Sequence, residues 1–131
     1  MGDAKREREK VEGLLDELMM VPAVNFPGTG KVTASDNHGV YIIYNEKEEV
    51  VHVGGTRSGK RGLWQRLQNH LYGQSSFVVA FFGGDGSKLR GDYKFRCLPV
   101  SDHRLRVFLE AYAIGCLCPK HIGLHQPVGG G

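Results

Sequence analysis

The stretch from Gly39 to Gly55, GVYIIYNEKEEVVHVGG, constrains this chain more than any other. Two apolar runs flank a charged connector, and glycine closes each end. Runs of this composition around a short connector read as an antiparallel hairpin. Alternation places Val40, Ile42 and Tyr44 on one face and Tyr41 and Ile43 on the other. A loop over 45–48 pairs Tyr44 with Glu49, and counting back sets Tyr41 opposite His52, with Cβ atoms roughly 5 Å apart. A one-residue slip would part them, so the register is a definite expectation. A phenol facing an imidazole in an otherwise apolar hairpin raises the question of chemistry.

The rest of the chain supplies elements around this hairpin. Val11, Leu14, Leu15, Leu18 and Met19 recur at helical spacing and predict a helix over 4–20, ended by Pro22. Residues 21–38 carry Pro, Gly, Ser and Asn without a period and read as a long surface connection. After Gly55 a basic loop leads to a helix over about 63–72, striped by Leu63, Trp64, Leu67 and Leu71. Arg66 and His70 are neighbours on its flank. FVVAFF, residues 77–82, reads as a buried strand, GGDGSKLRGD as a loop, and Tyr93 to Val100 as another strand. Asp102 caps a last helix reaching about Cys116, on which Val107, Ile114 and Leu117 share a face with Glu110. The order α-β-β-α-β-β-α predicts an α+β fold with a small, mainly antiparallel sheet flanked by helices.

At 131 residues one folded unit is expected, and the length buries a core without disulfides. No apolar run reaches a membrane-spanning length, so no membrane partner is expected. The charged start, MGDAKREREKVEG, has no apolar signal core, and three cysteines suit a reducing compartment, so a cytoplasmic location is expected. The net charge of +3 permits a nucleic-acid partner without demanding one.

Several groups compete as carriers of chemistry. Gly54 to Lys60, GGTRSGK, has the outline of a phosphate-binding loop, but Arg61 stands where a magnesium-binding hydroxyl belongs. Arg57, Lys60 and Arg61 read better as a basic loop touching nucleic-acid backbone. Cys116, Cys118, His121 and His125 lie in one short span, yet Cys-x-Cys departs from the usual zinc-knuckle spacing, and buried cysteines at a helix end are the plainer reading. Glu110 is a carboxylate on an apolar face, either paired with Arg104 or Arg106 or held for function. Arg66 with His70 alone would be a solvated helix flank. Together, Tyr41, His52, Arg66, His70 and Glu110 form a set able to hydrolyse a phosphodiester: groups to activate water, a fork of donors for phosphate, and a carboxylate for a divalent metal.

This ordered set resembles the GIY-YIG nucleases. Gly39-Val40-Tyr41 matches the first signature, and His52-Val53-Gly54 the second, with His for the usual Tyr. Arg66 and His70 match the family's Arg helix, and Leu109-Glu110-Ala111 its metal-binding Glu. Pro119-Lys120-His121 sits where many members have Pro followed by a terminal Asn, for which His121 or Gln126 would substitute. The resemblance implies a three-stranded antiparallel core in a domain over 38–128. Residues 1–37 would be an N-terminal helix with its connecting extension, and 129–131 a glycine tail. It also implies endonucleolytic cleavage of DNA with Mg²⁺, or Mn²⁺ in its place, held by Glu110. Tyr41 and His52 would then handle the water's proton, Arg66 the phosphoryl charge, and His70 either phosphate or the placement of Tyr41. A compact restriction-type or mobile-element nuclease is the expected kind. A homodimer is compatible with this reading but is not read from the sequence. Two other readings stand beside it: a non-catalytic nucleic-acid-binding module of the same fold, and a zinc-stabilised interaction domain.

Overall fold

The computed structural model describes residues 2–57 and 61–122. Four helices surround one sheet. In chain order the elements are α1 (Gly2–Met20), β1 (Val24–Asn25), β2 (Gly39–Tyr44), β3 (Val50–Gly55), α2 (Leu63–Leu71), α3 (Ser76–Phe82), a 3₁₀ turn (Gly86–Leu89), β4 (Lys94–Pro99) and α4 (His103–Leu117). The sheet order is β1-β4-β2-β3 and every pairing is antiparallel. The expected three-stranded core is therefore present as β4-β2-β3. It gains a two-residue edge strand, β1, too short to leave a sequence pattern. Among the described residues no helix is long and apolar enough to cross a membrane.

Strand β2 is buried along its whole length, as befits a central strand covered on both faces. Its alternation sorts the core in two. Tyr41 and Ile43 face α2, α3 and the 3₁₀ turn, packing with Leu63, Leu67, Phe77 and Leu89. Val40, Ile42 and Tyr44 face α1 and α4, packing with Leu15, Leu18, Leu109 and Ala113. The face assignment made from the sequence holds.

The register does not. Tyr41 pairs with Gly54, and Ile43 pairs with His52. Two local events cause this. Asn45 closes a shorter turn than expected: its backbone N–H donates to Glu49 O at 3.0 Å, and its side-chain Oδ1 accepts from Lys47 N and Glu49 N. Glu48 takes the left-handed conformation, φ 63°. A bulge between Ile43 and Tyr44 then adds a second step. One step would have flipped every side chain to the other face; two restore the face. Tyr41 and His52 thus remain on one side as diagonal neighbours.

FVVAFF is a helix, α3, not a strand. Ser75 caps its start, with Oγ accepting from Val78 N–H, and Gly83 ends it at φ 61°. Only Phe77 and Val78 are fully buried, while Val79 and Phe81 are exposed, the one-sided burial of a short surface helix. A short apolar run does not itself distinguish the two states. The connection over 21–38 is also less superficial than expected. Phe26 and Val32 are core residues, and the carbonyls of Ser35 and Asn37 accept from Trp64 N and Leu63 N at the start of α2.

Helix α4 begins at its Asp102 cap as predicted, with the carboxylate accepting from Leu105 N. Its buried stripe is Arg106, Leu109 and Ala113, so the expected face was rotated: Val107 is exposed and Glu110 lies half-buried at the border. Neither arginine considered for Glu110 pairs with it. Arg104 binds Glu7 of α1 at 2.6 Å. Arg106 is buried and donates to the carbonyls of Thr56, Val100 and Ser101 at 3.0, 2.9 and 3.2 Å.

Candidate active site

The hydroxyl of Tyr41 is the hub of a buried polar cluster. It sits 2.7 Å from His70 Nε2 and accepts a hydrogen bond from Arg66 Nε–H at 3.3 Å. One helical turn separates Arg66 and His70 on α2, so a single helix face delivers both to β2. The cross-strand partner of Tyr41 is Gly54, and a Cβ added there would fall onto the Tyr41 hydroxyl. The glycine therefore leaves the space the phenol occupies. Beyond His70, its Nδ1 lies 2.6 Å from Ser75 Oγ.

His52 completes the aromatic side of the cluster. Its ring stacks on Phe77, with centroids 4.7 Å apart and planes 14° apart, and lies 5.8 Å from the Tyr41 ring. Its Nδ1 is 3.0 Å from Nδ1 of His121, while its buried Nε2 has no partner among the described residues. His121 reaches it because the segment after α4 runs along β3, with His121 N–H donating to Val51 O at 2.9 Å.

Glu110 approaches from the other side of the sheet edge. A Cβ built on Gly55 would stand 2.7 Å from its Oε1, so the carboxylate lies directly over that glycine. Among the described residues Glu110 makes no hydrogen bond or ion pair. Burial raises its pKa, opposed by the charges of Arg57 and Arg66. Burial likewise pushes the Tyr41 hydroxyl up to about 12, against the pull of Arg66 and with Glu110 reinforcing it. Burial pushes His52 down to about 3, helped by His121 and Arg66. His70 is driven well below its ordinary value, by burial first and then by the neighbouring His52 and Arg66. Arg66 is thus the charge that acts on Tyr41, His52, His70 and Glu110 alike.

Of the residues singled out in the sequence, the fold joins Tyr41, Arg66 and His70 by hydrogen bonds, sets His52 in ring contact with Tyr41 and His70, and brings Glu110 into electrostatic range of Tyr41 and Arg66. Arg57 and Arg61 are exposed on either side of the loop; Lys60, His125 and Gln126 lie outside the described residues. Cys116 and Cys118 are exposed at the end of α4, whereas His121 turns inward to His52. Among the described residues no three His, Cys, Asp or Glu side chains are arranged to hold a metal ion. A single carboxylate without a partner among the described residues suits a hard cation that keeps most of its water, as Mg²⁺ does, and does not suit the closed ligand shell of structural zinc. Ser75 was missed in the sequence, and Arg106 was considered only as a partner for Glu110, not as the donor to the carbonyls of Thr56, Val100 and Ser101. Ser75 would have been visible as an N-cap had the run after it been read as a helix.

The chain matches no protein-family model and no curated protein. Among solved structures it is similar to the GIY-YIG N-terminal endonuclease domain of UvrC from Thermotoga maritima, in two point mutants bound to the catalytic divalent cation. One is 21% identical with a TM-score of 0.48, the other 20% identical with a TM-score of 0.46. Each likeness covers 88% of this chain and 92% of that one.

Proposed function

We propose that this protein is a divalent-metal-dependent endonuclease that hydrolyses phosphodiester bonds in DNA. The observation that carries this reading is the junction of Tyr41, Arg66 and His70, hydrogen-bonded at 2.7 and 3.3 Å within electrostatic range of the Glu110 carboxylate, which has no partner among the described residues. The signature-like triplets Gly39-Val40-Tyr41 and His52-Val53-Gly54 support it, because the second glycine is what admits the Tyr41 hydroxyl.

Tyr41, once ionised, takes the proton of the attacking water. A phenolate is a strong enough base for this, and Arg66 stabilises it as a neighbouring positive charge. His52, with its basicity depressed, is the poorer proton acceptor. Arg66 also meets the charge that develops on the phosphoryl oxygens, a task its fork of donors suits. His70 holds Tyr41 in place. Glu110 would hold the cation, which when bound offsets charge on the phosphate and on the leaving 3′-oxygen. Arg57, whose charge reaches Glu110, and Arg61, both exposed, bind the flanking backbone.

The test is a supercoiled-plasmid assay of purified protein with Mg²⁺, with EDTA, and with Glu110→Ala. Nicked or linear product is expected only for the wild type with metal. An intact plasmid in every lane, together with salt-sensitive DNA binding, would replace the nuclease with a non-catalytic binding module. Cleavage undiminished in Glu110→Ala would remove the metal from that carboxylate.

A further inference from the structure

Ser75 stands outside every role assigned so far except that of a helix cap. It is buried between α2 and α3, its Oγ accepting from Val78 N–H at 3.2 Å and lying 2.6 Å from His70 Nδ1. Among the described residues that hydroxyl makes no other hydrogen bond. Ser75, His70, Tyr41 and Arg66 therefore form one buried chain, linked at 2.6, 2.7 and 3.3 Å.

Counting hydrogens limits how this chain can run. Arg66 only donates, so Tyr41 Oη accepts there. A buried, neutral His70 carries one ring hydrogen. If it sits on Nδ1, it points at Ser75, Nε2 accepts the Tyr41 O–H, and the Ser75 O–H is left without an acceptor in the protein interior. If it sits on Nε2, Ser75 donates to Nδ1 and His70 donates to Tyr41. The surplus O–H is then on Tyr41, which is as fully buried as Ser75. With Tyr41 protonated, each arrangement therefore leaves one buried donor unplaced, at a cost. Ionisation of Tyr41 separates them: in the second arrangement no hydrogen of the chain then lacks an acceptor and the phenolate receives two donors, whereas in the first the Ser75 O–H stays unplaced and a lone pair of His70 Nε2 faces the phenolate.

We propose that Ser75 is a positioning residue of the site, whose hydroxyl donates to His70 Nδ1, fixes the Nε2–H tautomer and so makes His70 a hydrogen-bond donor to Tyr41. The consequence for cleavage rests on the nuclease reading; the tautomer does not.

Long-range ¹H–¹⁵N correlation of the histidine rings at neutral pH tests it on the wild type. The Nε2–H tautomer is expected for His70, and an Nδ1–H tautomer would overturn the proposal. Ser75→Asp keeps a helix-capping acceptor but cannot donate, so it should turn His70 to Nδ1–H; Ser75→Thr keeps both functions and should leave the tautomer unchanged. The phenolate absorbance of Tyr41, taken as the difference from Tyr41→Phe, should move to higher pH in Ser75→Ala and stay in place in Ser75→Thr. The alkaline-rising limb of the cleavage rate should move with it, about tenfold less rate at neutral pH for each unit of displacement. A wild type with the expected tautomer but no cleavage would sink the nuclease reading and leave this one standing. An active Ser75→Ala with tautomer, titration and pH profile all unchanged would reduce Ser75 to a helix cap.

Discussion

Single atoms decide the geometry at Tyr41. The phenol is admitted because its cross-strand neighbour, Gly54, has no side chain. Gly54→Ala places a methyl group where the hydroxyl lies, so the ring must move away from His70 and Arg66. Overpacking of this kind costs about 1–3 kcal/mol. The matched control is Gly115, on the exposed side of α4, where an added Cβ meets nothing within 4 Å. Gly115→Ala should stabilise by roughly 0.5–1 kcal/mol, the usual gain for Ala over Gly in a helix. Urea unfolding of both variants checks the pair. Equal effects would mean that Gly54 only serves the strand, not the phenol. The glycine was legible in the sequence as part of a triplet, but its reason was not, since that reason is a side chain arriving from the neighbouring strand.

Among the elements, α4 carries the carboxylate, and Arg106 fixes where α4 sits. Its guanidinium joins Thr56 at the end of β3 to Val100 and Ser101 after β4. Glu110 lies one helical turn further on, over Gly55. The pin and the carboxylate therefore share one helix and one strand end. Arg106→Met removes the donors and leaves buried carbonyls behind, at about 1.5–3 kcal/mol per hydrogen bond to a charged group. A loss of about 3 kcal/mol or more is expected by denaturant unfolding, and Arg106→Lys should recover little, since one ammonium lacks the planar fork. A loss under about 1 kcal/mol would show that α4 is held by its apolar stripe alone. Sequence reading placed α4 and its cap correctly because Asp102 and the 3.6-residue period are local signals. It misjudged which face is buried because a buried arginine looks like a surface residue until its carbonyl partners are known. The same limit explains α3 and the hairpin: period and faces were local and legible, whereas the Asn45 turn, the bulge and the Ser75 cap depend on which backbone groups meet.

For the molecule as a whole, the cluster ties stability to pH. His52 and His70 are buried and neutral, and burial has lowered both pKa values below the ordinary histidine value. Unfolding exposes them to water, where they take up protons near pH ~6.5. Above that pH neither state binds the extra protons and the stability contribution is whole. Below it the unfolded chain binds protons that the folded chain refuses, down to about pH 3 for His52. Each such histidine removes up to about 1.4 kcal/mol per pH unit in that window. His121, also lowered by burial, adds in the same direction. Glu110 acts the other way: its raised pKa means the folded chain binds a proton first as the pH falls, which opposes part of the loss. The carboxylates of Glu7, Glu49 and Asp85 have lowered pKa values and act only in more acid solution, below the carboxylate range. Between pH 7 and 5.5 the histidines therefore outnumber the single opposing carboxylate, and the unfolding free energy should fall by roughly 1–3 kcal/mol. His52→Phe, which keeps a flat ring on Phe77, should make the slope shallower by the share of one histidine. A stability that stays level from pH 7 to 5.5 would mean that His52 and His70 are as free to take up protons in the folded chain as in the unfolded one. The buried chain from Ser75 to Arg66, and with it the Tyr41 hydroxyl that we propose as the base, would then be open to water.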